Sequence, residues 1–353
     1  MWQPNGLTTG VGSLPYREPE PALYLIAANL DVPHWPQLPR RGAQEGFVQQ
    51  FLTPLVDNGL LVREGEKLVF PTDAPDWPDR LAAFYALYLA AEEGDEAALE
   101  TFAIPREAAV GFWAFLQALE SEERWPCLKG QVVGPLTAGF QLTDAAGRPA
   151  YYDEQVRDLL VRNLAMSARW QAAVLARYAG RAMVFVDEPG VSIYGQSTYI
   201  TVTREMIVED MGAIAAAVSA AGAIPGIHSC AAVDWSLLYD AGAAVVSLDA
   251  YEYFDSLRPF RRETLDFLDR GGILAWGVVP TSEKARRETG ATLAARLRSY
   301  WRELAEWGAS PEQVRAQALI TPACGTGALE PELAERIYGL THEVGALLRE
   351  GGE

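Results

Sequence analysis

The sequence predicts an α/β protein, a (β/α)8 TIM barrel with a helical insertion after its early strands. Three observations predict it. Short continuous apolar runs recur along the 353 residues, each closed by Gly, Pro or a polar residue. The intervals between most of them carry helical periodicity, and continuous apolar strands alternating with helices mean a parallel sheet covered on both faces. About eight such units in a chain of this length match a barrel.

The first run, residues 7–11, ends in Gly12-Ser13-Leu14-Pro15. A weaker second, residues 34–38, lies in a Pro-rich stretch. Residues 51–124 read as helices with a short hairpin over 60–70, and form the expected insertion into a single domain spanning 1–353. The third run, 127–133, is interrupted by Lys129 and Gln131 and ends in Gly134-Pro135-Leu136-Thr137. Later runs at 183–186, 224–227, 244–248, 273–278 and 318–320 end at Asp187-Glu188, His228, Asp249, Pro280-Thr281-Ser282-Glu283 and Thr321-Pro322-Ala323-Cys324. Between them, residues 152–178 place Val156, Leu159, Leu160, Leu164 and Trp170 on one side of a helix. Residues 203–221 open with a Thr cap. Helices are also expected over 234–240, 261–269 and 293–307, with 331–350 closing the fold. The competing architecture is an open doubly wound sheet, but Gly10-Val11-Gly12-Ser13 lacks the third Gly and the helix start of a dinucleotide-binding turn.

The formal net charge of −18 argues against nucleic acid and against anionic membrane surfaces as partners. Three Cys, an odd and small number, predict no disulfide framework and a reducing, cytoplasmic location. The N-terminus has no basic region followed by an apolar one. The long apolar stretch at 81–91 is too short to span a membrane.

In a barrel every strand-end residue converges on one rim. The polar inventory there is Ser13, Gln37, Thr137, Asp187, Glu188 and His228, with Cys230, Asp249, Glu252, Thr281, Glu283 and Cys324. His228 and Cys230 are separated by one residue in a chain with only three His and three Cys, and Cys324 follows another strand-like run. Imidazole and thiolate suit Zn2+. A structural zinc site usually closes with local C-x-x-C pairs, which are absent here. Ligands drawn from separate strands fit a catalytic site with a position left for substrate. The same residues also admit a core histidine beside inert thiols, or a Cys-His nucleophile pair. Cys127, at the start of its run, reads as packing, His34 as a loop residue and His342 as solvated.

These residues resemble a known family over nearly the whole chain. Thr8-Thr9-Gly10-Val11-Gly12-Ser13-Leu14-Pro15, Gly134-Pro135-Leu136-Thr137 and Val186-Asp187-Glu188-Pro189 are similar, in order, to motifs of the catalytic half of cobalamin-independent methionine synthase. So are His228-Ser229-Cys230, Val245-Val246-Ser247-Leu248-Asp249 and Pro322-Ala323-Cys324-Gly325. That half belongs to the methionine synthase/uroporphyrinogen decarboxylase-like barrel superfamily. The resemblance implies a zinc-dependent methyltransferase acting on homocysteine, with Zn2+ held by His228, Cys230, Asp249 and Cys324. Asp249 stands where the family has Glu, and Glu252 is the reserve ligand. The small thiol amino acid would lie near Ser13 and Asp187, with Asp187 facing its ammonium group and Glu188 supporting the site from behind.

Two departures shape the expected donor. The chain begins almost at the catalytic opening, without the folate enzyme's N-terminal half, and no His follows the seventh strand. The expected donor is therefore a methylated corrinoid, free or on a corrinoid protein, whose leaving group needs no proton. The alternatives are a uroporphyrinogen decarboxylase-like enzyme, for which Arg40-Arg41 would begin a cationic rim, and a non-catalytic corrinoid- or metal-binding barrel.

Overall fold

A computed structural model of the chain describes residues 2–65, 67–120 and 123–350. Glu66 of the expected hairpin, and Ser121 and Glu122 of the expected insertion, lie outside the described residues.

The apolar runs become parallel strands. They are β1 (Leu7–Thr8), β4 (Leu128–Val133), β6 (Ala182–Asp187), β7 (Ile224–Ser229), β8 (Val245–Leu248), β9 (Ile273–Val279) and β10 (Ala318–Pro322). They form one seven-stranded sheet in the order β1-β10-β9-β8-β7-β6-β4, every pairing parallel. Each parallel step needs a crossover. The crossovers are α6 (Pro135–Gln141) and α7 (Glu154–Leu175), then α8 (Arg204–Ala220), α9 (Trp235–Asp240), α10 (Ala250–Tyr253) with α11 (Arg261–Asp269), and α12 (Gly290–Trp307) with α13 (Pro311–Ala316). The last helix, α14 (Pro331–Glu350), packs on α12 and on α1 (Pro19–Asn29). Side-chain oxygens of Asp153, Thr203 and Asp234 accept from first-turn N–H groups of α7, α8 and α9, which fixes where those helices begin.

The expectation of a closed eight-stranded barrel is corrected. Residues 34–38 form no strand; they make only single bridges, His34 to Lys129 on β4 and Gln37 to Ser13 after β1. Pro33, Pro36 and Pro39 have no N–H to donate, so a regular ladder cannot run through this stretch. The fold is a TIM-like half-barrel sheet of seven strands covered by helices.

Between β1 and β4 lie α2 (Thr53–Asp57), the antiparallel pair β2 (Val62–Glu64) and β3 (Lys67–Phe70), and helices α3 (Trp77–Glu92), α4 (Glu96–Glu100) and α5 (Val110–Leu119). A short β5 (Thr143–Asp144) adds to β3. Phe112 of α5 meets Trp35 edge-on at 5.5 Å and Trp170 of α7 at 5.2 Å, joining this region to the sheet's helical layer. Aromatic pairs of this kind contribute about 0.5–1.5 kcal/mol beyond their burial. Among the described residues no helix is long and apolar enough to cross a membrane.

Candidate functional site

Side chains alternate along a strand, so His228, near the end of β7, and Cys230, just beyond it, start out on the same side. Cys324 lies two residues past β10. The donor atoms of His228, Cys230 and Cys324 all lie within 4.8 Å of one another. The turn carrying Cys324 needs close backbone approach. The β9–β10 register shifts between Thr321 and Pro322, and Ala323 N donates to Val279 O at 2.8 Å. A Cβ on Gly277 would come within 2.4 Å of Leu248 O and 2.8 Å of Ala323 Cα, so only glycine lets this turn sit where it does.

The His228 ring is set for a ligand. Its Nδ1 lies 2.9 Å from Ser247 Oγ on β8, while Nε2 is buried without a hydrogen-bond partner. With the proton on Nδ1, the ring donates to Ser247 and keeps the Nε2 lone pair free, the arrangement of metal-binding imidazoles. The two thiols are neighbours. The contact with Cys324 and the neighbouring His228 ring pull the Cys230 pKa down, while the same contact and burial push Cys324 up. One imidazole and two sulfurs at this spacing can hold a metal ion.

The triad opens on a cleft of about 310 Å³ that also reaches Ser13, Gln37 and Asp187. Asp187, last residue of β6, is buried and its Oδ1 has no partner. Burial pushes its pKa up to about 6, opposed first by Lys129 and then by His228. Lys129 of β4 is itself buried; its Nζ donates to Val11 O at 2.6 Å and Gln131 Oε1 at 3.3 Å and lies 4.7 Å from the Phe185 ring centre. Burial lowers it to about 8, opposed by Asp187. Ser13 Oγ accepts from Gly327 N at 3.2 Å.

The remaining predicted residues are not in the cleft lining. Glu188 is fully buried behind it, accepting from Leu136 N at 2.7 Å, Thr137 N at 2.9 Å, Gly190 N at 3.0 Å and the Thr137 hydroxyl. Burial raises its pKa to about 7 against those bonds. It ties the turn after β4 to the turn after β6. Glu188→Ala should cost on the order of 3–5 kcal/mol, since buried N–H groups lose a charged partner. Denaturant unfolding checks this; a loss under about 1 kcal/mol would be the behaviour of a solvated carboxylate.

Asp249 is outside the group whose donor atoms converge; its Oδ1 accepts from Glu252 N at 2.9 Å, capping α10. Burial raises its pKa to about 6, with the charges of Glu252 and Cys230 adding to the rise. Glu252 pairs with Lys284 at 2.6 Å in solvent, and Glu283 with Arg286 at 2.8 Å. Arg40 donates to Leu329 O at 2.6 Å, and Arg41 is held by Glu45 and by Arg17 O at 2.7 Å, so neither forms a free cationic rim. Cys127 is buried in a separate apolar cluster with Met183 and Phe185. His34, expected in a loop, is buried between Trp35 O and the Tyr338 hydroxyl, and His342 is exposed.

Two features of the site escaped the sequence. Glu45 and Phe47 line the cleft from the short turns after residue 38, and Glu45 is buried with Oε2 unpartnered. Nothing in a polar loop marks such a residue, although Arg41 four positions earlier is the partner of its other oxygen. Lys129 had a signal, a charge inside an apolar strand, which needs a buried partner.

No protein-family model matches the chain, and no curated protein matches its sequence. Among solved structures it is similar to a B12-independent methionine synthase from Shewanella sp. W3-18-1 in complex with selenomethionine, at 14% identity, 67% of each chain and a TM-score of 0.47. It is also similar to a protein of Listeria monocytogenes assigned as a vitamin-B12-independent methionine synthase, at 13% identity, 65% of this chain, 68% of that one and a TM-score of 0.41.

Proposed function

We propose that this chain is a zinc-dependent methyltransferase that places a methyl group on a thiol, with homocysteine as acceptor and methionine as product. The observation that carries the reading is the convergence of His228, Cys230 and Cys324 beside a buried, unpartnered carboxylate oxygen of Asp187.

The donor set of one imidazole and two thiols suits Zn2+, and three protein ligands leave a position for substrate. A bound Zn2+ would supply the charge that keeps an acceptor sulfur deprotonated at neutral pH. The chain's own residues do the rest. Ser247 holds the His228 ring in one tautomer. Asp187 Oδ1 accepts from the acceptor's α-ammonium, and Glu45 Oε2, also in the cleft lining, offers a second acceptor. The Ser13 hydroxyl, with its oxygen occupied by Gly327, has its hydrogen free for the acceptor's carboxylate. Glu188 keeps the floor in place and touches no substrate. Asp249 is buried just past β8, whereas Glu252 is tied to Lys284 in solvent. Zinc titration should therefore show a larger loss of affinity in Asp249→Ala than in Glu252→Ala; the reverse order would reassign the carboxylate.

The donor we propose is a methylated corrinoid, free or on a corrinoid protein. The acceptor sulfur forms the S–CH3 bond as the Co–C bond breaks, and cobalt leaves with both electrons as Co(I), needing no proton. Methyltetrahydrofolate has a nitrogen leaving group that must be protonated. His34 is buried and bonded on both nitrogens, and His342 is exposed on α14, so among the described residues His228 is the only imidazole lining the cleft.

Zinc-replete protein with homocysteine and methylcobalamin should form methionine. Folate-dependent turnover should be slower by the roughly 10²–10⁴-fold that a general acid provides. Robust turnover with methyltetrahydrofolate would overturn the corrinoid donor, and inactivity with both donors would overturn methyl transfer to homocysteine.

A further inference from the structure

A second groove, of about 380 Å³, lies between α12, α13 and the end of α14 and shares no lining residue with the cysteine cleft. Three guanidiniums line it: Arg298 and Arg302 on α12, and Arg315 in the last turn of α13. Among the described residues none of the three is ion-paired. Arg298 donates to Leu347 O at 2.8 Å, Arg302 to Arg298 O at 3.4 Å, and Glu312, one turn before Arg315, accepts from the Ser310 hydroxyl at 2.8 Å and feels the Arg315 charge without forming an ion pair with it. This is notable in a chain with 47 acidic and 29 basic side chains.

Arg298 and Arg302 stand four residues apart on one helix face, where like charges repel. An anion between them would remove that cost. A carboxylate is satisfied by one guanidinium fork, whereas a phosphate has enough terminal oxygens for several. The rest of the lining is apolar: the Trp301 ring, Ala305 and the buried Leu348. A flat ring can stack there, and the volume is in the range of small-molecule sites.

We propose that this groove binds a phosphorylated small molecule of nucleotide size, its phosphate on Arg298, Arg302 and Arg315 and its ring against Trp301. Calorimetric titration of the full chain with AMP, inorganic phosphate and adenosine tests it. AMP should bind, more weakly as salt rises, with inorganic phosphate weaker and adenosine not binding. Arg302→Ala and Arg315→Ala should each weaken AMP roughly tenfold or more, with the melting temperature and methyl transfer unchanged, because these are exposed side chains that do not line the cysteine cleft. Absence of AMP binding would overturn the proposal, as would AMP affinity unchanged in both variants. Inorganic phosphate binding as tightly as AMP would overturn the nucleotide-sized ligand, leaving an adventitious ion only.

Discussion

Cys230→Ser and Cys324→Ser should each strip the protein of zinc and of methyl transfer while leaving it folded. The two sulfurs sit with the His228 ring in one group, and each is a donor that serine does not replace. Losing a partner that merely orients a ligand typically costs ten- to hundred-fold in affinity, so losing a ligand should cost more than about 100-fold. Both cysteines are only partly buried and lie past the strand ends, outside the apolar core, so an isosteric change there removes little packing. The melting temperature of both should match that of the metal-free parent protein, since bound zinc itself adds stability. Cys127→Ser is the contrasting control: it should retain zinc and lose stability, because a hydroxyl in the cluster with Met183 and Phe185 lacks a good partner. Metal analysis on the three purified variants decides the matter. Full zinc in both Cys230→Ser and Cys324→Ser would remove these residues from the metal site.

Asp187→Asn should raise the acceptor's KM strongly and leave zinc content as it was. Asp187 lines the cleft, is buried, and has an oxygen with no partner in the protein. Burial makes its charge costly, and Lys129 and His228 offset part of that cost. A ligand ammonium would offset the remainder. Removing one member of a buried charge pair costs about 2 kcal/mol or more, equivalent to a KM rise of roughly thirty-fold. Steady-state kinetics over a range of homocysteine, with zinc measured on the same samples, separates the roles. An unchanged KM would deny Asp187 contact with the acceptor; lost zinc would make it part of the metal site.

Much of this site is legible in the sequence because strand ends are legible. Apolar runs that stop at Asp187, His228 and Cys324 mark the carboxyl edge of a parallel sheet, and curvature of the sheet brings those ends together. Helices 154–175, 204–220 and 331–350 follow from periodicity and caps. Residues 34–38 were harder, since apolar content predicts a strand and three prolines remove the donors that a ladder needs. Glu45 was hidden because its place in the cleft depends on how short turns fold back, which leaves no periodic trace. Glu188 and Asp249 look alike in the sequence, acidic residues after a strand. Three backbone N–H groups and the Thr137 hydroxyl claim Glu188, and a backbone N–H at a helix start claims Asp249; only the folded chain shows those donors.

The acceptor's sulfur is expected to join His228, Cys230 and Cys324 at a shared metal ion. X-ray absorption at the zinc edge, on zinc-loaded protein with and without homocysteine, reads that ligand set directly. Mixed nitrogen and sulfur ligation that gains a sulfur when homocysteine is added is the predicted result. A ligand set without sulfur, or one that homocysteine leaves unchanged, would contradict it.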